Sequence, residues 1–239
     1  MDTGWTGVIE TRSLGEQVYR HFCNLIIEGR LNYGETINSK LLAKEMNVSP
    51  MPVREALKRL AVEGLVVIKP RSMCTLRMPT RKSVLDTIAM RELIEVYCVE
   101  NVYAAVAPEK LATLHGIIRT MSSLVVTGTS DIQKYIQYDA QFHIALCALA
   151  ENDFIDKTYR EVSLHLNMNH TYSIGIVPDI ARSYRDHVDL VNALEAHSPE
   201  AVGIIRNHLE RSRNNVLKGR LFSKSPEEDF TPSGSRRSR

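Results

Sequence analysis

The chain has 239 residues, 44% of them hydrophobic and 24% charged, with a net charge of +2. That is apolar material for one large or two small cores, and it excludes a disordered polyelectrolyte. No stretch approaches the ~20 consecutive apolar residues of a membrane helix. The first residues lack the basic-then-apolar order of a secretion signal. The four cysteines form no CxxC pair, so reduced, buried thiols in a cytoplasmic protein are expected.

Charge is uneven. Residues 1–80 hold 11 Lys and Arg against 8 Asp and Glu, and the remainder holds 19 against 20. A mildly basic head is a weak pointer to nucleic acid.

The first predicted helix covers about Leu14–Glu28, where Leu14, Val18, Phe22, Leu25 and Ile26 fall on one face. "GRLNYG" interrupts it. Asn38 or Ser39 can cap a short second helix, with Leu41, Leu42 and Met46 expected on its inner side. "NVS" reads as a turn, and Ser49 is expected to cap a third helix. Pro50 and Pro52 lie in that helix's first turn, where a missing N–H removes no helical bond. Val53, Leu57, Leu60 and Ala61 point inward, and Gly64 ends the helix. "LVVIKP" and "CTLRM" then read as a two-stranded hairpin.

From Arg81 onward the pattern is helical. Six segments are predicted at about 82–106, 108–126, 130–150, 153–173, 179–196 and 198–220. The expected fold is mostly α: a head over 12–78, an all-α bundle over 82–220, and a polar, disordered tail over 221–239.

Three helices and a hairpin make a winged helix-turn-helix, whose third helix enters the major groove. Arg54 and Lys58 are four apart, so they share one face of that helix, opposite Val53 and Leu57. Arg can grip guanine through two acceptors, while Lys and Ser suit phosphate. The expected DNA-contacting residues are Lys40, Ser49, Met51, Arg54 and Lys58, with Lys69 and Arg71 on the wing. A solvated helix face pairing with Glu55 or Glu63 also accounts for Arg54 and Lys58 taken alone. The ordered run of elements favours DNA.

The stretch "GETINSKLLAKEMNVSPMPVREALKRLAVEGLV" resembles the winged-helix head of the GntR family of bacterial transcription regulators, over about residues 12–78. The resemblance implies that Arg54 contacts bases and that Lys40 contacts DNA. Many members read "SRTPVREAL"; this chain has Pro50 and Met51 in place of that Arg and Thr. An arginine used on DNA by those relatives therefore has no counterpart here.

In the helical part, Asp139 and His143 stand at i,i+4 in "YIQYDAQFHIALCALAEN", and so share a helix face. His187 and His208 each border an apolar stripe of a later helix. One carboxylate and three imidazoles aimed into a bundle can bind Zn²⁺, Ni²⁺ or Mn²⁺. From spacing alone, separate buried or capping histidines account for them as well. The pattern "DxxFHxxL", then "DHVDLVNAL", then "HL" is similar to the effector domain called FCD, found in one GntR subfamily; six helices resemble its VanR-like branch. That likeness implies a metal held by Asp139, His143, His187 and His208, and a small carboxylate effector beside it. It also implies an effector-facing role for Arg91. A surface pairing of Arg91 with Glu95 at i+4 remains the alternative.

Tyr138, His165 and Asn169 are further effector-pocket candidates, and His21, His115, His170 and His197 read as surface or structural. The sequence thus predicts a ligand-responsive repressor, a homodimer on operator DNA. A metal-dependent enzyme on the same four ligands is the alternative, weakened by the lack of an HExxH or a bundle-type ExxH pair. An effector-free DNA binder is the other.

Overall fold

The computed structural model describes residues 13–28, 30–31, 36–69, 73–126, 132–172 and 179–219. Two compact units divide the chain close to Met78.

The first unit starts with α1 (Leu14–Ile27), followed by α2 (Ser39–Glu45) and α3 (Pro50–Val62). Strands β1 (Val66–Lys69) and β2 (Met73–Leu76) pair antiparallel, with Val66 opposite Leu76. Ile37 adds one bridge to Cys74, tying the approach to α2 onto the hairpin. Its core is Val18, Phe22 and Ile26 from α1, Val53, Leu57 and Leu60 from α3, and Leu65, Val66 and Leu76 from the hairpin, all buried. Each full burial of such a side chain contributes roughly 1.5–3 kcal/mol.

Cap chemistry sets the turns. Asn38 accepts from the backbone N–H of Lys40 and Leu41, both at 3.1 Å, and starts α2. Asn47 takes the left-handed conformation at φ 52°, while the Val48 N–H reaches back to the Ala43 carbonyl at 2.9 Å. Gly64 does the same after α3 at φ 77°, with Leu65 N–H on the Leu60 carbonyl at 2.9 Å and both of those leucines buried. These bonds and the left-handed residue make the Schellman end of a helix.

Ser49 holds the N-cap position of α3 but its side chain makes no capping bond. The reason is local. A capping oxygen accepts from the N2 or N3 amide, and Pro52 at N3 has no N–H to give. Two inner-face expectations are also corrected: Leu41 is 51% exposed and Leu14 47% exposed. Ala43 is the buried contact of α2 instead.

The second unit is a bundle of α4 (Arg81–Val102), α5 (Ala112–Val126), α6 (Ile132–Ala148), α7 (Asp153–Tyr172), α8 (Ile180–Glu195) and α9 (Glu200–Leu217). A 3₁₀ turn at Pro108–Leu111 leads into α5. Thr80 and Ser83 form a reciprocal capping box at the head of α4. Helix α4 packs on α6, α7 and α9; α5 packs on α6 and α8; α8 packs on α9. The main core runs from Val99 and Leu114 through Phe142 and Leu146 to Leu194 and Leu209. The residues predicted as a disordered tail, 221–239, lie outside the described residues.

Candidate functional site

In the first unit, α3 is held down by a polar clamp as well as by its apolar face. The Arg59 guanidinium lies 3.5 Å above the Tyr19 ring. It also pairs with Glu16 at 2.6 Å and Glu63 at 3.0 Å, and Tyr19 donates to Glu63 at 2.8 Å. Glu63 is thereby occupied by α1 and Arg59. Among the described residues no carboxylate pairs with Arg54 or Lys58, and both are exposed. Lys40, Ser49 and Met51 are exposed too, Met51 at 67%. Lys69 is exposed at the end of β1, and Arg71 lies outside the described residues. Unpaired cations at the head of a helix whose other face is buried suit a polyanion.

The second unit brings Asp139, His143, His187 and His208 together from three helices. One candidate ligand atom from each lies within 4.8 Å of all the others. His143 Nε2 is 3.2 Å from His187 Nε2 and 3.2 Å from His208 Nε2. Asp139 stands 3.6 Å from His187 and 3.9 Å from His143. The three imidazoles are buried and Asp139 is partly so.

Outer partners fix the rings. His143 Nδ1 approaches Glu95 Oε2 at 2.7 Å, off the line of a straight hydrogen bond. His208 Nδ1 approaches Asp186 at 3.3 Å, and Asp186 is also gripped by Arg211. Phe142 stacks on the His187 ring with centroids 4.2 Å apart. A carboxylate beside Nδ1 in each of the first two rings favours the tautomer whose Nδ1–H donates to it, which turns the Nε2 lone pair toward the other imidazoles. Two lone pairs then face each other at 3.2 Å. That arrangement repels unless a cation lies between them, so the donor set fits a divalent metal.

The electrostatics agree. Burial would raise the Asp139 carboxyl, but His143, His187 and Arg91 outweigh it and keep the carboxyl ionised. Burial, reinforced by His208, holds His187 well below its ordinary value. Burial likewise lowers His208, against the pull of Asp186. His187 and His208 as neutral imidazoles, with Asp139 ionised, are forms a metal binds.

A cavity of about 20 Å³, room for one water, opens beside the cluster. Its wall includes Arg91, Asp139, His143, Tyr159, Ser163 and Asn167. Arg91 is neither a surface residue nor free. It is 5% exposed, pairs with Glu95 at 2.6 Å and donates to Ser212 at 3.2 Å. Tyr159 donates a short bond to the same Glu95. Burial would raise the Glu95 carboxyl, but Arg91 and His143 hold it well below the carboxylate range.

Of the other effector-pocket candidates, Tyr138 packs against the main core and His165 is half-buried on α7; neither lines this cavity. The Asn169 side chain lies outside what is described. Sequence reasoning missed Glu95 as an anchor, along with Tyr159, Ser163, Asn167 and Asp186. The signal for Glu95 was available: a charged i,i+4 pair between Ile88, Ile94 and Cys98, in a stripe that is otherwise apolar.

Residues 14–75 match the bacterial regulatory proteins of the gntR family, and residues 86–211 match the FCD domain. The chain belongs to the gntR family and carries an FCD domain. It is 28% identical over 147 residues to the uncharacterized HTH-type transcriptional regulator YdhC of Bacillus subtilis, covering 62% of this chain and 65% of that protein. It is 27% identical over 187 residues to the Nta operon transcriptional regulator of Aminobacter aminovorans, covering 77% and 86%. The solved structure of E. coli McbR/YncC matches with a TM-score of 0.77 at 19% identity, over 86% of this chain and 97% of that one. That last likeness speaks to fold alone. This gntR-family chain is a DNA-binding transcription regulator, and its relatives are regulators rather than enzymes. Regulators of this family dimerise on DNA, and among the described residues no helix is long and apolar enough to cross a membrane.

Proposed function

We propose that this regulator acts in the cytoplasm as a repressor of a metabolic operon. It releases its operator when a small organic acid enters the helical unit beside a bound divalent metal. The observation that carries the reading is the convergence of three imidazole Nε2 atoms and Asp139 next to buried Arg91. Asp139, His143, His187 and His208 would hold the metal, which supplies a Lewis-acidic position for an anionic ligand. Arg91 offers a second, fixed positive charge on the same cavity, and Asn167 and Ser163 offer polar contacts.

As it stands, the cavity has room for about one water. Entry therefore requires the walls to move, and a ligand that favours the opened packing shifts the bundle toward it. That differential affinity is what can be passed to the DNA heads. On the DNA side, Arg54 reads bases, Lys40, Ser49 and Lys58 meet phosphate, and Met51 lends an apolar contact suited to a thymine methyl. Lys69, exposed at the end of β1, adds to the basic surface.

The test is a thermal-shift screen of organic acids on metal-loaded protein, followed by a gel shift on the operator. A hit that raises the melting point and frees the DNA supports the reading. A protein that carries no metal after purification from metal-replete medium, and takes none up on titration, sinks it.

A further inference from the structure

Two of the free cysteines meet inside the helical unit. Cys98 on α4 and Cys147 on α6 are both buried. With Ile94 and Tyr159 they form a small core cluster of their own, and the two thiols share a hydrogen bond. Their register follows that of the Glu95–His143 contact. Cys98 stands three residues after Glu95, and Cys147 stands four after His143. The same two helices therefore meet twice, about one turn apart. Tyr159 joins the two contacts, because it packs in the cysteine cluster and donates to Glu95. Ile144 packs against the cluster and also lines an open groove between α5, α6 and α7.

We propose that Cys98 and Cys147 are an oxidation site, where a hydroperoxide converts the two thiols to a disulfide and so disturbs the hold of Glu95 on His143. The groove brings a small uncharged oxidant to the Ile144 side of the cluster. The hydrogen bond from Cys147 holds the Cys98 thiol below its ordinary value, against burial, which makes Cys98 the attacking sulfur. That sulfur takes one oxygen of hydrogen peroxide, the O–O bond breaks, and the thiol proton leaves with the other oxygen as water. The Cys147 sulfur then attacks the Cys98 sulfenic acid. The S–S bond forms, the S–O bond breaks, and the hydroxyl leaves with the Cys147 proton as a second water. Two thiols are oxidised and one peroxide is reduced to two waters. A disulfide draws its sulfurs closer than a thiol hydrogen bond does, and a close-packed interior transmits the shift. Glu95, one turn away, then moves relative to His143. The oxidation does not rest on the metal reading, whereas its effect on metal affinity does.

The test treats the full chain, loaded with redox-inert zinc, with hydrogen peroxide, then alkylates and digests it for mass spectrometry. A peptide pair linked through Cys98 and Cys147 is expected, reversed by dithiothreitol and absent from Cys98→Ser. Zinc affinity, read against a chromophoric chelator once peroxide is removed, is expected to fall about 10-fold or more on oxidation. It should recover on reduction, and the double variant Cys98→Ser with Cys147→Ser should hold zinc equally before and after peroxide. Both thiols still alkylated after peroxide, or Cys98 ending as a sulfinic acid with Cys147 free, overturns the oxidation site. Linked protein that holds zinc as tightly as reduced protein overturns the coupling to Glu95 and His143. A chain that forms the linkage yet binds zinc in neither state refutes the metal reading and supports the oxidation site.

Discussion

Glu95 on α4 meets His143 on α6 at 2.7 Å, and so joins an ion pair with Arg91 to one of the four candidate metal ligands. A carboxylate in that position orients the imidazole and raises its basicity. Its loss typically costs 10–100-fold in metal affinity. Glu95→Gln is therefore expected to weaken metal binding by about that factor, read by competition with a chromophoric chelator. Glu95→Ala also leaves Arg91 as a buried charge without its partner, which costs about 3–5 kcal/mol of stability. Equal metal affinity in wild type and Glu95→Gln is the result that removes Glu95 from the site.

Metal loading links to stability. At a free metal concentration 100 times Kd, binding adds about 2.7 kcal/mol, and chelation should lower the melting point of the helical unit by several degrees. His143→Ala is expected to lose that metal-dependent increment. If His143→Ala gains as much from added metal as wild type does, the ion binds elsewhere.

Arg54 is exposed and has no carboxylate partner among the described residues. Arg54→Ala should therefore weaken operator binding by about 1–3 kcal/mol per half-site with little change in stability. Lys58→Ala should weaken binding to all sequences alike and reduce the salt slope by about one. Gel shifts over a salt series separate the two, and an unchanged affinity in Arg54→Ala would refute base reading by this residue.

The two caps of the reading motif behave differently. Asn38 accepts two backbone N–H groups, so Asn38→Ala is expected to cost about 0.5–2 kcal/mol. Ser49 makes no capping bond, so Ser49→Ala should stay within about 0.5 kcal/mol in denaturant melts. If Ser49 serves phosphate instead, the same variant lowers DNA affinity. A Ser49→Ala protein that is destabilised as much as Asn38→Ala contradicts the geometry.

The sequence by itself determined the elements, and it named the four residues that the structure clusters. Helical spacing placed Asp139 and His143 on one face, and Gly64 and Pro50 marked the ends of α3, because these are local effects of backbone and near neighbours. The six helices of the second unit were legible for the same reason. Only the tertiary structure decided which polar groups meet. From the sequence, a surface pair of Arg91 with Glu95 stood as the alternative to an effector-facing role, and packing against α6, α7 and α9 buried both. Ser49 is different: Pro52 at N3, already visible in the sequence, has no N–H to give a capping oxygen. Asp186 precedes His187 in sequence yet serves His208, twenty-two residues later. Adjacent residues on a helix point about 100° apart, so only the packing of α8 on α9 could say which imidazole each faces.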